Sequence, residues 1–273
     1  MSSETADDLA FAVDLARRAG AILTASYGRL ERIDYKSKRD VVTDADYASE
    51  ALVLDAIRKR FPNDAILAEE SGHHERRGKR GAGRRWVIDP LDGTVNYANG
   101  IPYYCVSIGL VTDAGPTVGV IFDPARDDLF SATVDGPACL NGKEVAASQK
   151  EALSDFVVAL AIIGRGGIAR ERRVAREIRI SRRMGSAALS LAYVANGRFD
   201  AFVQNGGLSR WDVAAAGLIA ERAGARVTDL TGGPWWDLAK KEPTVTIVAA
   251  PEPQHGELLA LLAAAGTRPG LRS

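Results

Sequence analysis

Only two cysteines, Cys105 and Cys139, occur in 273 residues. That excludes a disulfide framework, and their spacing excludes a cysteine zinc site, so both read as reduced, partly buried thiols. Net charge is absent as well. Lys+Arg and Asp+Glu both total 35, which removes any global electrostatic argument for a nucleic-acid or membrane partner. No apolar run approaches bilayer length; a long one, Phe156 to Ile163, falls far short. The first residues, Met-Ser-Ser-Glu-Thr-Ala-Asp-Asp, lack a signal-peptide core. The expectation is a cytoplasmic protein with no membrane contact. There is no internal repeat. What remains is 46% hydrophobic content in a chain long enough for one large domain or two packed subdomains.

The pattern changes near residue 145. Before it, residues 4–27 read as an amphipathic helix and Asp44 to Arg60 as a second, stopped by Phe61-Pro62. Ala65 to Ala68 and Trp86 to Ile88 read as strands flanking a basic loop, Gly72 to Arg85. Val106 to Thr112, Thr117 to Phe122 and Asp128 to Val134 read as a meander, and Asn141-Gly142 as a tight turn. After it, strands (Phe156–Ile163, Glu177–Ser181, Ala201–Gln204, Ala225–Thr228, Val245–Ala249) alternate with helices (Ser186–Ala195, Val213–Ala223, Gln254–Ala265). Ile168–Glu177 reads as a helix or a basic linker, and Gly266–Ser273 as a frayed tail. The reading is an antiparallel α+β subdomain over 1–145 and an α/β subdomain over 146–273.

Chemistry concentrates in Trp86 to Tyr97, Trp-Val-Ile-Asp-Pro-Leu-Asp-Gly-Thr-Val-Asn-Tyr. Asp89 and Asp92 sit three apart on a turn stiffened by Pro90. Two carboxylates aimed at one point repel unless a cation sits between them. Glu69 also ends a strand, and Asp46 and Asp212 open helices. Each has an ordinary explanation. Asp46 with Thr43 is a capping box, Asp212 a helix cap, Asp89 to Gly93 a turn, and Glu69 part of a solvated loop. Together, Glu69, Asp89, Asp92, Asp212 and the Leu91 carbonyl form an all-oxygen set suited to Mg²⁺ and so to phosphate chemistry. His73 and His74 lie in a polar loop and read as solvated, which argues against zinc.

Four motifs, in order, resemble those of the inositol monophosphatase family. They are Asp40-Val-Val-Thr-Asp-Ala-Asp46, Ala68-Glu-Glu-Ser71, the Trp86–Tyr97 stretch, and Trp211-Asp-Val-Ala-Ala-Ala-Gly217 continuing to Glu221-Arg-Ala-Gly-Ala225. The resemblance runs from about residue 7 to about residue 250. It implies a layered α-β-α-β-α fold, a homodimer and a lithium-sensitive, Mg²⁺-dependent phosphatase acting on a sugar or polyol monophosphate through metal-activated water. By the same resemblance Glu69, Asp89 and the Leu91 carbonyl hold one Mg²⁺, and Asp89, Asp92 and Asp212 a second. Glu69 with waters offers room for a third. Asp46 and Thr94 orient the attacking water, and the N–H groups of Gly93 and Thr94 grip phosphate. The alcohol half meets Gly185, Ser186 and Ala187, the segment Gln204 to Gly207 with Asn205, and Asp212. Family members that act on inositol phosphate typically carry glutamate where this chain has Asn205.

Substrate choice stays open among inositol 1-phosphate-like esters, fructose 1,6-bisphosphate, histidinol phosphate, and 3′-phosphoadenosine nucleotides or NADP. A reading of another class is a regulatory protein that contacts RNA or a protein. It rests on the eight arginines between Arg165 and Arg183. Solvated faces are the favoured account of these, so nucleic acid is not the expected partner. The glycine-containing 72–85 loop is a candidate lid, and Lys36 a candidate contact near phosphate.

Overall fold

The computed structural model describes residues 2–30, 33–37, 40–74, 83–164, 166–237 and 245–263. The candidate lid falls largely on 75–82, and the side chain of Lys36 and the tail from 264 onward also lie outside the described residues.

Helix α1 (Ser3–Ser26) starts where the Ser2 hydroxyl accepts the Thr5 N–H at 3.1 Å. It buries Ala12, Leu15, Ala16, Ala19 and Leu23, one helical stripe. Strands β1 (Ile33–Ser37) and β2 (Asp40–Thr43) form a short hairpin that leads into α2 (Asp44–Arg60). Both helices cover one face of an eight-stranded sheet built from β3 (Ala65–Ala68), β4 (Gly72–His74), β5 (Arg85–Asp92), β6 (Cys105–Thr112), β7 (Gly115–Asp123), β8 (Asp128–Thr133), β9 (Cys139–Leu140) and β10 (Lys143–Glu144). A short helix α3 (Thr94–Ala98) follows β5. The order is β10-β9-β8-β7-β6-β5-β3-β4, antiparallel except for the parallel pair β3–β5. Asn141 and Gly142, with φ of 50° and 76°, make the expected turn between β9 and β10.

The second sheet, β12-β11-β13-β15-β14, comprises β11 (Val157–Ile162), β12 (Ile180–Arg182), β13 (Ala201–Leu208), β14 (Arg226–Thr228) and β15 (Val245–Ala250). β11 runs parallel to β12 and β13, and β15 antiparallel to β13 and β14. Its outer face carries α4 (Gly167–Glu177) and α7 (Gln254–Ala263). Between the sheets lie α5 (Ala187–Ala192) and α6 (Arg210–Arg222). Apolar cores separate the layers, which gives the expected α-β-α-β-α sandwich.

Differences from the sequence reading are local. Gly72–His74 pairs with β3 as a strand because the hairpin satisfies its backbone. Residues 167–177 form a helix, since Val174 points into the outer core while the arginines stay at the surface. The predicted helix from Ser186 ends at Ala192 and continues as a single 3₁₀ turn to Asn196, with Gly197 at φ 70°. The second sheet is mixed, because β15 enters antiparallel.

Candidate functional site

The end of β5 is shaped by a bulge. Asp89 pairs with Ser107 but Asp92 with Cys105, so three steps on β5 span two on β6. Pro90 occupies that irregular place, where its missing N–H breaks no ladder bond. Asp89 Oδ1 accepts the Leu91 N–H at 3.0 Å, an Asx turn that stiffens the segment. Gly93 then takes φ 98°. A methyl group there would lie 3.0 Å from the Tyr103 carbonyl oxygen and 3.2 Å from Ser186 Cβ, so only glycine fits.

Asp212 arrives from the other half of the chain. It is the third residue of α6, and its Oδ2 accepts the Ser209 N–H at 2.6 Å in a capping box. Glycines in the large sheet let this helix approach closely: a methyl on Gly119 would lie 2.6 Å from the Ala215 carbonyl oxygen. Ser107 Oγ donates to the Trp211 carbonyl at 2.9 Å and fixes the helix start over β6. The outcome is that oxygens of Asp89, Asp92 and Asp212 lie within 4.8 Å of one another.

Glu69 joins them. Its N–H bonds the Ile88 carbonyl at 3.2 Å, which sets it beside the end of β5. Asp89, only 1% exposed, has its carboxyl pushed well above the usual range by burial, then by the charges of Glu69, Asp92 and Asp212. Burial raises Asp92 too, against the Ser186 hydroxyl and the Ala188 N–H, which donate to its Oδ2 at 2.5 and 2.7 Å. Like charges gathered this closely, with oxygen donors only, suit a hard divalent cation.

Asp46 stands behind. It is fully buried, and its Oδ2 accepts from the Thr43 N–H and hydroxyl at 2.8 and 2.5 Å. Its Oδ1 lies 3.1 Å from Thr94 Oγ1, which is also 3.0 Å from the Leu91 carbonyl oxygen. Burial raises the Asp46 carboxyl to about 6 despite the Thr43 bonds. At both Asp46 and Asp212 one carboxylate thus caps its helix and also faces the site.

Beside the carboxylates opens a cleft of about 340 Å³, lined by Asp92, Asp212, Ser186, Ala187, Gln204 and Gly207 among others. Ser186 is buried, with its hydroxyl on Asp92. Asn205 sits on β13 between Ile162 and Thr246 and is not among the lining residues, whereas its neighbour Gln204 is. His73 pairs within the β3–β4 hairpin, and His74 bonds Ser71 and Arg58, away from the carboxylates.

Two supports escaped sequence reasoning. Glu50 is buried and its Oε2 accepts the Glu70 N–H at 2.9 Å, holding the turn that carries Glu69. Its spacing of four from Asp46, on the same helix face, was the available signal. Asn96 donates to the carbonyls of Tyr103 and Met184 at 2.8 and 2.7 Å and ties α3 to the segment before Ser186. No local pattern announces such a contact between distant segments.

The model of the "Inositol monophosphatase family" matches residues 5–267. The chain belongs to the inositol monophosphatase family. Among its relatives is the Nus factor SuhB of Salmonella typhimurium, 38% identical over 241 residues, covering 82% of this chain and 86% of that one. Another is inositol monophosphatase 2 of Solanum lycopersicum, 35% identical over 247 residues, covering 86% and 91%. The crystal structure of the extragenic suppressor protein suhB from Bartonella henselae superposes with a TM-score of 0.87 at 33% identity, over 95% of this chain and all of that one. This inositol monophosphatase family member thus has relatives named for an enzyme and relatives named as a Nus factor. The expectation against a nucleic-acid partner gains no support from them. Among the described residues no helix is long and apolar enough to cross a membrane.

Proposed function

We propose that the protein is a Mg²⁺-dependent phosphatase of sugar or polyol monophosphates. The observation that carries this reading is the convergence of Asp89, Asp92 and Asp212 within 4.8 Å, backed by the Thr94–Asp46 pair. Glu69, Asp89 and the Leu91 carbonyl would hold one Mg²⁺, and Asp89, Asp92 and Asp212 a second. Bound there, the ions supply a water of lowered pKa and neutralise charge on the phosphate and leaving oxygen.

The chain's own residues do the rest. Thr94 has one hydroxyl proton. When it is given to Asp46, the Thr94 oxygen is left as an acceptor that orients a water and its proton. Asp46 must be ionised for this. The Gly93 and Thr94 N–H groups face the phosphate, the left-handed Gly93 keeping that backbone free of a side chain. Ala187 and Gln204 border the alcohol, while Asn205, the next residue of β13, is not among the residues that line the cleft.

A second reading rests on the outer helix. Arg172 and Arg176 of α4 and the following Arg179 and Arg182 are exposed, a surface that suits an RNA backbone, and some relatives are named Nus factor. One set of measurements separates the two. With Mg²⁺, phosphate release from a panel of sugar and polyol monophosphates is expected, and Asp92→Asn abolishes it. No release from any member, together with a salt-sensitive RNA mobility shift that Asp92→Asn leaves intact, rejects the phosphatase in favour of the regulatory reading.

A further inference from the structure

Ser186 borders the cleft, but its hydroxyl is spent elsewhere. The residue is 2% exposed, and Oγ donates to Asp92 Oδ2 at 2.5 Å. On its accepting side Oγ faces the Leu189 N–H at 3.4 Å. A serine hydroxyl carries one proton, so this one has none left for the alcohol of a substrate. The side chain expected to touch substrate is turned towards a carboxylate of the cluster instead.

Asp92 is gripped by one oxygen. Oδ2 also accepts the Ala188 N–H at 2.7 Å, and Cys105 Sγ lies 3.9 Å from it. Two close donors occupy both lone pairs of Oδ2, which leaves Oδ1 as the oxygen open to a cation. Asp89 and Asp212 crowd the other side, with oxygens of all three residues within 4.8 Å. Their like charges drive the Asp92 carboxylate outward unless something holds it. The donors at the start of α5 supply that hold.

The Ser186 end is braced in turn. Gly185 takes φ 81°, and a methyl there would lie 2.9 Å from the Asn96 amide. Ser190 Oγ donates to the Ser186 carbonyl at 2.5 Å, and the Tyr103 hydroxyl lies 3.0 Å from Ser190 Oγ. A methyl on Gly93 would come 3.2 Å from Ser186 Cβ, so the Asp92 turn and the start of α5 are in direct contact.

The geometry points to Ser186 as a positioning residue, whose hydroxyl holds Asp92 by one oxygen so that the other is presented to Mg²⁺. This rests on the phosphatase reading for the identity of the ion. Loss of a hydrogen bond behind a metal ligand weakens metal binding by about 10–100-fold. The Ala188 N–H stays in place here, so the lower end of that range is expected.

The test is calorimetric titration of the protein with Mg²⁺, without any ester. Ser186→Ala is expected to weaken binding about tenfold. Ser186→Thr, which keeps the hydroxyl, is expected to restore it. On an Asp92→Asn background the alanine substitution is expected to change Mg²⁺ binding by less than about twofold, since Ser186 then has no carboxylate to hold. Glu69, Asp89 and the Leu91 carbonyl remain there to bind the ion. Melting temperatures without Mg²⁺ check that each variant folds. Binding unchanged in Ser186→Ala, equal weakening in Ser186→Thr, or the same weakening on the Asp92→Asn background overturns the proposal. So does a KM raised severalfold at saturating Mg²⁺ with Mg²⁺ binding intact, which makes Ser186 a contact of the alcohol. Phosphate release by the unsubstituted protein is measured in parallel. Its absence, with Mg²⁺ binding weakened as expected in Ser186→Ala, sinks the phosphatase reading alone.

Discussion

At the scale of single residues, the proposed mechanism leans most on Asp46 and Thr94, whose Oδ1 and Oγ1 lie 3.1 Å apart. Asp46→Asn removes the ionised acceptor, and Thr94→Ala removes the relay. Each is expected to lower kcat by about 10²–10⁴ with a small change in KM, read from steady-state kinetics at saturating Mg²⁺. The sign of the pH dependence follows from burial. A carboxyl raised to about 6 is neutral below that pH and cannot accept from Thr94. Activity is therefore expected to fall as pH drops through a value at or below about 6, since nearby cations favour the ionised form. A kcat profile without an acid limb between pH 4.5 and 7 contradicts the assigned role. These residues were legible in the sequence because their motifs are contiguous. Glu50 and Asn96 were not, because what they hold is remote along the chain.

At the scale of elements, the site depends on how closely α6 lies on the large sheet. Gly109 faces Ala214 and Gly119 faces Ala215, and the small faces of helix and strands meet almost at backbone contact. A methyl group placed 2.6 Å from a helical carbonyl must push the helix away. Gly119→Ala is expected to cost about 1–3 kcal/mol, read by denaturant unfolding. It is also expected to weaken Mg²⁺ dependence, since Asp212 rides on the displaced helix. Unfolding and metal titrations both equal to the unsubstituted protein would show that the helix has slack. The run Ala214-Ala215-Ala216-Gly217 was visible as a helix with small residues. That its partners are glycines on β6 and β7 was not visible, since β6 and β7 reach α6 only through the sandwich's layering.

At the scale of the molecule, the central helical layer is shared by both sheets, and the carboxylates of the cluster come from both halves of the chain. A ligand that bridges them binds the folded state and has no comparable site in the unfolded chain. Mg²⁺ at about one hundred times its Kd is expected to stabilise the protein by about 2.7 kcal/mol, or roughly 5 °C in melting temperature for a chain of this size. Asp92→Asn is expected to abolish most of that shift. A melting temperature indifferent to Mg²⁺ in the unsubstituted protein argues against a site that unites the two halves.

By itself the sequence determined the chemistry available: oxygen ligands without cysteine or histidine, on a turn too stiff to let two carboxylates part. It also determined the helices and most strands, because caps, turns and apolar periods act over a few residues. Only the tertiary structure decided which carboxylates meet. Asp212 reaches Asp89 because glycines let α6 settle on the sheet, and Ser186 reaches Asp92 because Asn96 ties the segment before it to α3. Both depend on contacts between segments far apart in the chain, which the packing of layers fixes and no local pattern encodes.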